Sequence, residues 1–494
     1  MLGRKLALII VALVGLAITA LELAAARLLA PFFGSTIFVY GSAIGIVLAA
    51  LALGYGLGGR YADRYPRRAV LSSIILLAGL SAAVIPLLYR PVAQAIDAFG
   101  APRGVPVGLL VVVAMTVLFA VPVLALGAVS PFVLRLSLRD LSESGRWSGL
   151  LSGLSTFGSI VGTFLATFVT IPLLGTRLTI VGAAAILLVL GVMLAPFGRT
   201  ARLLPVFLFL PLAAAGLSGP FLSRPGLAWE RESPYQLVQV LHYRDATYLV
   251  TDAADGIQSV YRAASAYTQT YYDSFALLPF LAEGEEQQRS VLVLGLAGGS
   301  MVRLYQETLT DQFSFETVGV EIDQRVLEAA RAHFALDRLD LTVVADDARR
   351  YLARTDRRFD VIIVDAYVHE LQIPPLLATR EFFADLRRHL APGGIVGMNV
   401  AVLSGSRFYP KFLQTVADVF PDVRHAPFAA GAANHLVLAA ETVALDRLPR
   451  TIAPEIDRFL SHTVPALRLV ERTAETVYTD DRTDLELLMA NPHG

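Results

Sequence analysis

The chain contains no cysteine. Disulfides, thiolate nucleophiles, cysteine-ligated zinc and iron–sulfur clusters are therefore excluded. Lysine is almost absent as well: it occurs only at Lys5 and Lys411, and arginine carries nearly all the positive charge. Charged residues are 17% of the 494 and hydrophobic residues 55%, where an ordinary soluble protein has about 25% charged. That balance excludes a disordered chain, and it excludes an ordinary soluble enzyme over the whole length. The formal net charge is −1, so no basic field points to nucleic acid as a partner. Histidine is missing before His242, and the later histidines lack the paired spacing of a metal site. No metal is expected.

What is present divides in two. Residues 1–222 are a series of apolar runs and read as a transmembrane helical domain. Residues 223–285 read as a linker and a small β-lobe, and 286–494 as a Rossmann-like α/β domain of the methyltransferase type. The break falls at Ser223-Arg224-Pro225-Gly226, a polar stretch with turn chemistry. A bilayer core about 30 Å thick takes about 20 apolar residues in helix. The stretches 6–29, 37–58, 69–89, 106–128, 149–174, 177–197 and 202–220 are candidates, so about seven helices are expected, the last weakened by Pro205 and Pro211. Arginines gather at the N-terminus and in alternate connections, at Arg60, Arg64, Arg67 and Arg68 and again at Arg135, Arg139 and Arg146. This predicts a multi-pass protein of the cell membrane with its N-terminus cytoplasmic. Seven crossings would place the C-terminal domain outside and six would place it inside. The sequence leaves that side open.

Charge inside lipid is costly and calls for a partner or a cavity. Glu22 and Arg27 in the first helix therefore read either as a packing pair or as part of a ligand path. Gly54-Tyr55-Gly56-Leu57-Gly58-Gly59 reads as a close helix contact, because small residues let helices approach. The loop that follows, through Asp63-Arg64, resembles the Gly-x-x-x-Asp-Arg loop of major facilitator transporters, although six strong helices are only half of such a transporter.

In the second half, 235–262 alternates apolar and polar residues around turns and predicts a small antiparallel lobe. Strands follow at 290–295, 317–321, 341–345, 359–364 and 395–398, with helices between them, which predicts a parallel doubly wound sheet. Ligands of such sheets bind at the carboxyl ends of the strands. Glu321, Asp346 and Asp365 stand at three successive strand ends, and the first strand runs into Gly295-Leu296-Ala297-Gly298-Gly299. A glycine turn lets a nucleoside approach the backbone, and a carboxylate about 20–25 residues on accepts from both ribose hydroxyls. Asp346 is placed to accept from an adenine amino group. Nothing argues for a pyrophosphate, so an adenosine sulfonium compound is preferred to a dinucleotide.

Taken together, Val291-Leu-Val-Leu-Gly295-Leu-Ala-Gly298-Gly299, Val320-Glu321-Ile-Asp323, Ala345-Asp346-Asp347-Ala348, Phe359-Asp-Val-Ile-Ile-Val-Asp365 and Leu390-Ala-Pro-Gly-Gly394 resemble spermidine synthase, a polyamine aminopropyltransferase. Ser233-Pro-Tyr-Gln236, Asp255-Gly256-Ile257-Gln258 and Tyr271-Tyr272-Asp273 are similar to its N-terminal lobe and the segment after it. Thr479-Asp480-Asp481 resembles the membrane-fused members of that family. The resemblance implies transfer of an aminopropyl group from decarboxylated S-adenosylmethionine to an amine such as putrescine, releasing methylthioadenosine, and it implies a homodimer. It makes Asp365 the proton acceptor, Gln236, Gly295, Gly298, Glu321, Asp346 and Asp347 cofactor contacts, and Gln258, Tyr271 and Tyr272 substrate contacts.

Two positions depart from the family pattern: Gly298 stands where it has an Asp, and Val368 where it has a second Asp in the catalytic loop. Both missing acids would face amines. Asp273, His369 and Glu370 are near enough in sequence to replace them, and Tyr272 and Tyr367 offer ring faces to a cation. The departures keep two alternatives open. One is a methyltransferase-like enzyme using S-adenosylmethionine on a membrane-associated substrate; the other is a non-catalytic ligand-binding or transport protein.

Overall fold

The computed structural model describes residues 2–34, 37–196, 199–252, 256–284, 287–367, 373–402, 407–428, 433–473 and 476–482. The chain forms two compact units, Met1–Ser223 and Arg224–Gly494.

The first unit is helical. Its helices are α1 (Arg4–Phe33), α2 (Ile37–Arg64), α3 (Arg68–Gly100), α4 (Val107–Ser137), α5 (Ser144–Leu165), α6 (Thr176–Leu194) and α7 (Arg199–Leu217). α5 runs on through a π-helical turn, Ala166–Thr170, to Leu174. Among the described residues, six spans are long and apolar enough to cross a membrane. The expected seventh is present as α7, whose described apolar part is Leu204–Leu217. Tyr89 of α3 donates to the carbonyl of Phe221 (2.7 Å), tying the chain after α7 back to α3.

The glycines of 54–59 divide in function. A Cβ on Gly58 would lie 2.5 Å from the Cα of Ala128, and one on Gly127 would lie 2.8 Å from the carbonyl of Leu51, so α2 and α4 cross almost backbone to backbone. Gly56 faces open space. Between α1 and α5, Thr19 Oγ1 donates to the carbonyl of Ser159 (2.9 Å). Glu22 and Arg27 are both half-buried on α1.

The second unit opens with a four-stranded antiparallel lobe, β1 (Leu227–Glu232), β2 (Leu237–Tyr243), β3 (Ala246–Thr251) and β4 (Ile257–Arg262). Then come β5 (Gln288–Leu294), α8 (Ser300–Thr308), β6 (Ser314–Glu321), α9 (Gln324–His333), β7 (Thr342–Ala345), α10 (Ala348–Leu352), β8 (Phe359–Val364), α11 (Arg380–Arg388) and β9 (Leu390–Ala401). The chain continues with α12 (Phe408–Val419), β10 (Asp422–Pro427), β11 (Asn434–Ala440), α13 (Pro454–Ala466) and β12 (Arg468–Leu469).

The eight-stranded sheet has the order β12-β10-β11-β9-β8-β5-β6-β7. β5 to β9 pair in parallel, as expected, but β10, β11 and β12 pair antiparallel, so the sheet is mixed rather than all parallel. Val291 and Val293 of β5 enter one core while Leu292 and Leu294 enter the other. A strand buried on both faces has no polar alternation, and this is why 290–295 reads as one apolar run. The lobe packs Val238, Val240 and Leu249 against Val326, Ala329 and Phe334 around α9, and this holds it over the sheet's carboxyl edge.

Candidate active site

The turn after β5 brings two strand tips together. Gly295 has φ 92°, and a Cβ there would lie 2.7 Å from the backbone carbon of Asp365, so only glycine allows the contact. The Asp365 N–H in turn donates to the carbonyl of Leu294 (3.0 Å). Beside this junction a cavity of about 350 Å³ opens at the carboxyl ends of β5, β6, β7 and β8. Glu321, Asp346 and Asp365 all line it, with Gly295 and Asp347, and the lobe adds Tyr235, Gln236 and Gln258. Three carboxylates from three strand ends thus share one crevice.

Glu321 accepts from the N–H of Ala297 and of Asp323, both at 3.0 Å. Burial outweighs these donors and pushes its carboxyl up to about 7. Asp323 caps α9, accepts from Ser233 Oγ (2.6 Å) and meets Gln236 Nε2 at 3.5 Å, so it joins the lobe to the sheet tip behind the cavity. Asp346 pairs with Arg350 (3.0 Å) and Arg354 (3.5 Å). Asp347 caps α10 by accepting from the Arg350 N–H (3.0 Å). The apolar walls are Ile322, 41% exposed, and Leu376, 51% exposed. Such exposed apolar side chains at a polar crevice offer a flat purine base something to cover.

Leu376 belongs to a turn held by the far C-terminus. Arg349 Nη1 reaches the carbonyl of Leu376 (3.3 Å) and Asp480 Oδ1 (2.5 Å). Thr379 Oγ1 donates to the same Asp480 oxygen (2.7 Å), and the Arg380 N–H donates to the carbonyl of Tyr478 (2.9 Å). The Thr479-Asp480-Asp481 motif thereby braces one cavity wall.

Asp365 lies at the inner end. Tyr271 Oη donates to its Oδ2 (3.1 Å) and Asn399 Nδ2 to its Oδ1 (2.9 Å). Asn399 is itself oriented by Asn434 Nδ2 (2.9 Å). Burial raises the Asp365 carboxyl to about 6, against the opposing pull of the Asn399 and Tyr271 hydrogen bonds. Burial also raises the Tyr271 hydroxyl well above the usual phenol range, so it remains a donor. A carboxylate ionised above about pH 6 and fixed by two donors can take a proton from an amine and aim its nitrogen.

Several expected contacts fall elsewhere. Gly298 is not on the cavity wall: its N–H donates to Ser259 Oγ (2.8 Å), and a Cβ would lie 2.8 Å from both Ser259 Cβ and Phe334 Cδ1. The space that an acid would need is filled. Asp273 is buried and closes its own loop, accepting from the Thr268 and Gln269 N–H groups (2.9 and 2.8 Å) and from Thr268 Oγ1 (2.7 Å). It does not replace the missing acids. The Tyr272 ring lies tilted against that of Tyr271, with ring centroids 4.2 Å apart, and its hydroxyl donates to the carbonyl of Ile257 (2.8 Å). Tyr367 lines the cavity while its hydroxyl bridges Asn399 O (2.8 Å) and Ala401 N (2.9 Å). Val368, His369 and Glu370 lie outside the described residues. Asn399, Tyr235, Ile322 and Leu376 were not singled out by sequence reasoning. Tyr235, inside Ser233-Pro-Tyr-Gln236, and Ile322, between Glu321 and Asp323, carried a signal in their positions.

Residues 291–394 match a family model described as a methyltransferase domain. The chain is 29% identical over 294 residues to a protein of Bifidobacterium longum described as a probable polyamine aminopropyl transferase, covering 55% of this chain and 64% of the relative. It thus spans just under two thirds of that relative's length. It is 28% identical over 410 residues to a polyamine aminopropyltransferase of Mycobacterium tuberculosis, covering 74% of this chain and 73% of the relative. That is more than unit 224–494 provides, so the match runs into the helical half. A crystal structure of a probable spermidine synthase from Corynebacterium glutamicum is 19% identical, with a TM-score of 0.42, covering 53% of this chain and 99% of that one. The chain's curated relatives are thus polyamine aminopropyltransferases, which are transferases, and its apolar helices fit a membrane-fused form of them.

Proposed function

We propose that the protein is a membrane-bound aminopropyltransferase that moves an aminopropyl group from decarboxylated S-adenosylmethionine to an amine such as putrescine. The observation that supports this reading is Asp365, half-buried and doubly held, sharing one cavity with Glu321 and Asp346. Glu321 would accept from the ribose hydroxyls, Asp346 would face the base edge, and Ile322 and Leu376 would cover the base. The acceptor is an amine of pKa about 10, like lysine, mostly protonated at pH 7 and inert as a nucleophile in that form. Asp365 takes a proton from it and points the lone pair at the methylene carbon beside the sulfonium. The carbon–nitrogen bond forms as the carbon–sulfur bond breaks. The electron pair of the broken bond goes to sulfur, so methylthioadenosine leaves as a neutral thioether and needs no acid.

We further propose that the six spans lie in the cell membrane with the N-terminus cytoplasmic. An even number of crossings returns residue 224 to the same side, where such a cofactor is made.

A second reading is favoured by the filled space at Gly298. No carboxylate comes from that turn to meet a propylamine cation, which fits an S-adenosylmethionine methyltransferase. Incubating purified protein with putrescine and decarboxylated S-adenosylmethionine, and in parallel with S-adenosylmethionine, separates the two. Methylthioadenosine release in the first mixture supports the first reading. S-adenosylhomocysteine in the second mixture alone supports the other.

A further inference from the structure

Independently of the reaction, we propose that the helical unit holds one anionic phospholipid in a groove at the arginine-rich ends of α2, α3 and α4. The groove has a volume of about 430 Å³. Its apolar lining includes Leu57, Ile74 and Phe132, and Arg60, Tyr61 and Arg64 stand at its rim. Gly58 and Ala128 belong to its lining, where α2 presses onto α4.

Arg60 and Arg64 are four residues apart on one helix and so lie on the same face, a turn from each other. Both are exposed. Among the described residues neither has an ion-pair partner; Arg64 only lies over the ring of Tyr65, 5.5 Å from its centroid. The nearby acid is already engaged, since Asp63 pairs with Arg135 at 3.3 Å. Two uncompensated guanidinium groups above an apolar floor match a phosphodiester with an attached acyl chain: the fork-shaped donors take phosphate oxygens, and the chain lies along Leu57 and Ile74. Tyr61, 52% exposed, has the amphipathic ring that favours the headgroup level. With Asp63 engaged, no carboxylate among the described lining residues answers the positive end of a zwitterionic headgroup. The occupant is therefore a lipid of net negative charge.

Native mass spectrometry of the full chain in detergent, with phosphatidylglycerol or phosphatidylcholine added, tests this. The wild type should retain one phosphatidylglycerol about tenfold more tightly than phosphatidylcholine. The double variant R60Q/R64Q should lose that preference, and R60K/R64K, which keeps the charge, should retain most of it. R139Q/R146Q removes the same charge from the next arginine-rich connection and should leave the preference intact. Equal retention of the two lipids by the wild type would overturn the proposal. So would a loss in R139Q/R146Q as large as in R60Q/R64Q, which would mean a diffuse basic surface. Displacement of the lipid by excess inorganic phosphate would also overturn it, since the acyl groove would then contribute nothing.

Discussion

At the scale of single residues, the base proposed at Asp365 meets two opposed demands. A base must be charged to work, yet this carboxyl is partly withdrawn from water, and desolvation disfavours the charged form. Its carboxyl at about 6 lies above the unfolded value of about 3.9. The folded state therefore binds this proton more tightly than the unfolded state between about pH 4 and pH 6, and stability falls as pH rises through that window. Asp365→Asn should lose turnover by a factor of about 10²–10⁴. It should also raise the melting temperature at pH 7, and that gain should vanish by about pH 4, where the wild-type carboxyl is protonated. Thermal melts of both proteins across this range check the second part. Wild-type kcat/KM should fall below about pH 6 as Asp365 protonates.

Gly298→Asp tests the other end of the site. If the missing acid were a simple vacancy, the variant would gain activity. Because Ser259 and Phe334 occupy the space, it should instead destabilise the fold by about 1–3 kcal/mol, as overpacking does, with no gain in turnover; chemical denaturation and the rate assay together read this out.

At the scale of elements, the cavity is assembled from pieces far apart in the chain. The bracing of Leu376 by Arg349 and Asp480 means that the adenosine wall depends on a segment more than a hundred residues away. Asp480→Ala should weaken binding of methylthioadenosine about tenfold, roughly one charge-assisted hydrogen bond, and raise KM for the adenosyl substrate more than it lowers kcat. Calorimetry with methylthioadenosine and steady-state rates check the two halves of this prediction. The parallel strands β5 to β8 were legible in the sequence because each is an apolar run ending at a glycine or an acid. The antiparallel β10–β12 edge was not, since their pairing is set by tertiary contact rather than by a hairpin signal. In the same way, Glu321, Asp346 and Asp365 could be placed from their strand ends, whereas Asn399 reaches Asp365 only through the β8–β9 register. Gly298 and Asp273 show the converse: a residue may occupy the right place in sequence while its neighbours in space commit it elsewhere.

At the scale of the whole molecule, six apolar spans among the described residues precede an α/β unit that is similar to proteins described as polyamine aminopropyltransferases. With the N-terminus cytoplasmic, a reporter fused at the C-terminus should be active only on the cytoplasmic side, and activity outside would contradict the six-crossing topology. The most direct test of the chemistry is methylthioadenosine release by purified full-length protein given putrescine and decarboxylated S-adenosylmethionine, run beside Asp365→Asn. The expected result is release by the wild type and essentially none by the variant; equal rates in the two, or no release by either, would contradict aminopropyl transfer with Asp365 as its base.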